Sequence, residues 1–102
     1  MASYAVAWSE EGNAVRVGKL EFPGGGIRLE SGNHRDGHIS VRHVAFQDVL
    51  GAEMAPVKQR IGDRPTIALT SVHGVLALAP TGMGIALEVL DALRAALPEV
   101  AG

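Results

Sequence analysis

The spacing of apolar residues changes once along this chain, and that change limits the fold more than any other feature. From Tyr4 to Ala79 apolar residues recur at alternate positions, the spacing of strands buried on one face. After Pro80 the interval lengthens, and Ala86, Val89, Leu90, Leu93 and Leu97 fall on one side of a helix, with Glu88 and Asp91 on the other. A single helix placed last cannot supply the crossovers that parallel strands need, and the links between strand segments are too short to hold others. The predicted class is therefore mainly β. Seven antiparallel strands bend into a β-barrel, capped by one C-terminal α-helix.

The strands are placed by their punctuation. Tyr4 to Trp8 reads as the first, closed by the polar turn Glu10-Glu11-Gly12-Asn13. Ala14 to Phe22 reads as the second, with Val15 and Val17 on one face and Leu20 and Phe22 on the other. A bulge at Gly18 would bring both pairs into the core. Pro23-Gly24-Gly25-Gly26 is a turn, after which Ile27 and Leu29 resume the alternation. Residues 31–37 read as a polar loop. Ile39 and Val41 are then out of phase with Val44 and Phe46, which predicts a second bend or bulge near Arg42-His43. Val49 to Met54 is a short strand. Residues 55–65 are a loop bracketed by Pro56 and Pro65, and Thr66 to Thr70 with Val75 to Ala79 form a hairpin turning at Gly74. The helix starts at Thr81 or Gly82, runs about four turns and ends at Pro98. The expected core is Val6, Trp8, Val15, Val17, Leu20, Phe22, Ile27, Leu29, Val44, Phe46, Val49, Ile67, Leu69, Val75, Leu78, Val89, Leu90, Leu93 and Leu97.

Length and composition narrow the functional classes. A chain of 102 residues is expected to form one domain, residues 1–102. A net charge of -2 argues against non-specific nucleic-acid binding, which needs a basic excess. With no cysteine, disulfides, thiolate metal sites and cysteine nucleophiles are excluded. No stretch approaches the ~20 consecutive apolar residues of a membrane span, and the N-terminus lacks the basic start of a signal peptide. A cytoplasmic location is expected.

The element order and apolar spacing resemble the pleckstrin-homology (PH)-like barrel, including its small bacterial versions. Gly18-Lys19-Leu20-Glu21-Phe22, a turn, then Ile27-Arg28-Leu29 is similar to the second and third strands of that fold. Val44 to Glu53 is similar to its fourth-to-fifth strand corner. Thr66 to Ala79 followed by Gly84 to Leu97 is similar to the last hairpin and closing helix. The resemblance implies a binding domain for lipid, peptide or protein. Phosphoinositide-binding members carry basic residues at the first hairpin. Here that hairpin is Ser9-Glu10-Glu11-Gly12-Asn13, whose carboxylates repel a phosphate.

Candidate chemistry is sparse. His34, His38 and His43 lie close in sequence around Asp36, but the segment reads as loop and strand, so the spacing gives no shared face and no metal site is assigned. His73 reads as a turn residue. No serine sits in a Gly-x-Ser-x-Gly elbow and no carboxylate pair stands apart, so no enzyme activity and no cofactor are expected. Gly24-Gly25-Gly26 joins two strands and offers no helix N-terminus to a phosphate. Gly82-Met83-Gly84 opens a helix but lacks an accompanying lysine. Lys58, Arg60 and Arg64 form the candidate anion- or partner-binding loop.

The expected function is a non-catalytic protein-interaction or scaffolding module, with a protein partner or self-association and no nucleic acid. The alternative is binding of an anionic lipid or small ligand, or of a membrane surface, through the Lys58–Arg64 loop or the His34–His43 segment.

Overall fold

Alternating residues bury one face of each strand, and the sheet must curl to wrap that face around itself. In a computed structural model, which describes residues 3–10, 14–33 and 38–97 apart from the side chains at 33, 38 and 39, this happens through seven strands and a helix. The strands are β1 (Ser3–Glu10), β2 (Arg16–Glu21), β3 (Gly26–Asn33), β4 (His38–Ala45), β5 (Val49–Met54), β6 (Ile67–Ser71) and β7 (Gly74–Pro80), and α1 spans Met83–Ala96. All neighbours pair antiparallel, in the order β4-β3-β2-β1-β7-β6-β5. The sheet is a strongly curled half-barrel. β4 and β5 follow one another in sequence, through a 3₁₀ turn at Phe46–Asp48, yet form its two opposite edges.

The concave face holds one apolar cluster. Val6 and Trp8 of β1, Leu20 of β2, Ile27 and Leu29 of β3, Val44 of β4, Val49 of β5, Ile67 and Leu69 of β6 and Leu76 and Leu78 of β7 all belong to it. Helix α1 closes the cluster with Val89, Leu90 and Leu93, and Ala86 is buried with them. Phe22, Phe46 and Leu97 are half-buried against it, and Tyr4, Phe22 and Phe46 form an aromatic group with ring centroids 6.2 and 6.4 Å apart. Among the described residues no helix is long and apolar enough to cross a membrane.

Both expected phase corrections are absent. β1 and β2 pair without interruption from Ser3–Glu21 to Trp8–Arg16, so Gly18 is not bulged. Leu20 faces the core, while Val15 and Val17 stay on the outside, 51% and 71% exposed. β3 and β4 likewise pair evenly from Gly26–Ala45 to Asn33–His38, with no bulge at Arg42-His43, and Val41 remains on the convex face. A bulge would break ladder bonds to bury two valines, and isolated valines on a sheet surface are tolerated. Val75 is another expected core residue that is exposed; Leu76, its neighbour in β7, is buried instead. Residues 31–33, expected in a loop, extend β3, whereas 34–37 lie outside the described residues.

Gly18 serves a different purpose. A Cβ built on it would lie 1.6 Å from the Glu30 carbonyl oxygen and 2.8 Å from Ser31 Cα. Backbone crosses backbone there, and Gly26 meets the Val44 carbonyl in the same way at 2.4 Å. At these two positions the neighbouring strand comes too close for any side chain.

Candidate functional site

The half-barrel leaves two strand edges, and the chain treats them differently. The Ala55 N–H donates to the Thr66 carbonyl at 2.8 Å, so alternate residues of β5 bond to β6 and the Ala52 carbonyl points outward along the free edge. Arg94 of α1 donates its Nε to that oxygen at 3.4 Å. β5 is also short, at 6 residues, and its register shifts between Val49 and Gly51. A covering helix, a short strand and a register irregularity are the usual means of blunting an edge.

β4 has none of these. It is 8 residues long, contains neither proline nor lysine, and pairs evenly with β3. The Phe46 N–H donates to the Gly25 carbonyl at 3.0 Å, so the bonded pairs continue as Val44–Ile27, Arg42–Leu29 and Ser40–Ser31. The N–H and C=O groups of Ile39, Val41, His43 and Ala45 therefore point away from the sheet. Among the described residues no further strand pairs with them.

A cavity of about 270 Å³ lies between β4 and the β6–β7 hairpin, where the sheet does not close. Arg42 and Val44 line it from β4, Glu10 from β1, and Ser71, His73 and Leu76 from the hairpin side. Two of its lining side chains have partners within reach. Arg42 Nε lies 3.0 Å from Glu10 Oε1, and His73 Nε2 lies 3.6 Å from Asp48 Oδ2. Ser71 Oγ accepts from the His73 N–H and donates to the Gly74 carbonyl, both at 3.2 Å, which fixes the hairpin turn. Gly74 has φ 130°, as a turn glycine requires.

The charges on the convex face of β2 and β3 are likewise matched to each other. Arg28 Nη1 reaches Glu30 at 2.6 Å and Glu21 at 3.0 Å, and Lys19 Nζ lies 3.6 Å from Glu21 and 3.9 Å from Glu30. The Arg28 guanidinium is held above its ordinary pKa, first by the Glu30 hydrogen bond, with partial desolvation opposing and the charges of Glu30 and Glu21 adding.

The loop expected to bind anions has other duties. Lys58 is exposed on a 3₁₀ turn at Val57–Gln59. Arg60 is half-buried, and its Nε is enclosed with no hydrogen-bond partner. Arg64 donates from Nη2 to the Pro80 carbonyl at 3.0 Å, tying the loop to the end of β7. Thr66, fully buried, accepts from the Ile61 N–H and donates to the Arg64 carbonyl, closing the same loop. Sequence patterning missed this clamp because its acceptors are backbone carbonyls. His34 lies outside the described residues, and so does the side chain of His38; His43 is on the convex face, opposite Arg28 in the ladder. Among the described residues no group of three or more His, Asp or Glu is arranged to hold a metal ion.

Comparison of the chain with protein-family profiles, curated proteins and solved structures finds no match.

Proposed function

We propose that this chain is a non-catalytic protein-interaction module of PH-like architecture, working in the cytoplasm, which binds by taking up an extended strand along the outer edge of β4. The observation that carries the reading is the contrast between the two edges. One is shortened, irregular and covered by Arg94 and α1; the other is long, even and, among the described residues, unpaired. Outward backbone groups at alternate residues give an added strand its hydrogen bonds. The neighbouring cavity, lined by Val44 and Leu76, offers room for its side chains. Anion binding by the Lys58–Arg64 loop draws less support, because Arg64 is already committed to the Pro80 carbonyl.

The test is capture with the wild-type chain and with Val41→Pro as baits, followed by amide hydrogen exchange on the complex. Proline removes an N–H that points outward and is not part of the β3–β4 ladder, so the sheet is retained. The expected result is a bound protein that slows exchange at Val41, His43 and Ala45 and is lost with Val41→Pro. A partner bound equally by both baits, with protection elsewhere, would refute the reading.

A further inference from the structure

We propose that the strand received by the β4 edge is β4 of a second copy of this chain, paired antiparallel across a two-fold axis at Val41. The inference rests on the strand-addition reading and names its occupant. It starts from charge. Arg42 is the one Lys, Arg, Asp or Glu in β4, and its Nε is already held by Glu10 at 3.0 Å. Val41, His43 and Ala45 lie on the other face, with Val41 44% exposed. Among the described residues a charged incoming strand finds no free counter-charge along this edge, whereas a strand composed like β4 brings one Lys, Arg, Asp or Glu charge, that of Arg42, which Glu10 already pairs.

Self-pairing also selects a register. With the axis at Val41, the two Val41 residues stand opposite each other, His43 faces Ile39, and Arg42 faces Ser40 of the other copy. Ile39, Val41 and His43 then each donate and accept across the interface, because theirs are the backbone groups that point outward. An axis at Arg42 would set two guanidinium groups face to face. An axis at His43 shortens the overlap. The contact is isologous, so each copy uses its bare edge once and the assembly closes as a dimer, which disposes of an edge otherwise open to uncontrolled pairing.

The absence of native cysteine makes the register directly readable. Directly opposed residues in a bonded antiparallel pair have Cα atoms about 5.5 Å apart, within the range a disulfide spans. Val41→Cys is therefore compared with Val17→Cys, a more exposed site on β2 away from the edge, under mild oxidation. Sedimentation velocity on the wild type, Val41→Pro and Val41→Lys runs beside it. The expected results are a wild-type dimer that dissociates on dilution, and disulfide dimers of Val41→Cys forming at least about tenfold faster than those of Val17→Cys. Either Val41→Pro or Val41→Lys should be monomeric with unchanged far-ultraviolet circular dichroism; Lys serves if Pro does not fold. A wild type that is monomeric throughout, with both cysteine variants cross-linking at the same rate, overturns self-pairing. If that monomer captures a different protein with protection at Val41 and His43, strand addition survives and only its occupant was wrong. If it captures nothing there, both readings fall.

Discussion

Gly18 shows how much one missing side chain decides. The sequence marks it as an interruption in an apolar strand, and a bulge is the natural expectation. The ladder shows no bulge; the glycine instead admits the backbone of β3, with Glu30 O where its Cβ would be. Gly18→Ala should destabilise the fold by about 3 kcal/mol or more in chemical denaturation, since the obstacle is backbone and cannot rotate away. Gly51→Ala, with nothing within 4 Å of its Cβ, should stay within about 0.5 kcal/mol of wild type. Tyr4 gives a second test at this scale. Its hydroxyl donates to Glu88 at 3.3 Å, and its pKa is raised by desolvation first, then by the Glu88 charge and hydrogen bond. Folding therefore favours the protonated phenol. That contribution is complete below the ordinary tyrosine pKa and is lost as pH rises through the higher folded value. Tyr4 is the only tyrosine, so tyrosinate absorbance reads it alone. The midpoint should lie above the ordinary value in the folded chain. Glu88→Gln should lower it only part of the way, because the desolvation remains.

Elements were legible where one face alone determines burial. In α1 the residues expected to face the core are those that do: Ala86, Val89, Leu90 and Leu93 are buried, and Leu97 packs at the end. The helix start is its weak point. Gly82 occupies the N-cap with no side-chain hydrogen bond, and Gly84 sits in the first turn with open space around its Cβ. Gly84→Ala should raise stability by about 0.5–1 kcal/mol, seen as a higher denaturation midpoint with an unchanged slope. β2 and β4 were legible as strands, but their registers were not. Each carries apolar residues in both phases, and alternation by itself cannot say which set faces inward. Close backbone approach at Gly18 and Gly26 and unbroken pairing with β1 and β3 settle it, leaving Val15, Val17 and Val41 outside.

At the scale of the whole molecule, sheet and helix share a single core, with Trp8 of β1 and Leu93 of α1 in one buried cluster. Trp8 is the only tryptophan and α1 the only helix of more than 3 residues among the described residues, so fluorescence and helical circular dichroism report on different parts of the fold. The two signals should give coincident thermal transitions. Leu93→Ala should lower stability by about 2–5 kcal/mol while keeping them coincident. Separate transitions would mean that the helix and the sheet do not fold as one unit. The candidate site belongs to this scale as well. Strand length and register separate the β4 edge from that of β5 only in part; the larger difference is the helix that reaches one of them. The difference arises because the β4–β5 corner sends the two strands to opposite ends of the sheet, and α1 then returns to only one of them, with Arg94 on the Ala52 carbonyl. By itself the sequence determined the strand class, the antiparallel pairing and the final amphipathic helix, because hydrophobic period and connection length act over a few residues. Tertiary structure alone decided the strand registers, the Arg64–Pro80 clamp and the bare β4 edge, because each depends on backbone groups brought together from distant parts of the chain.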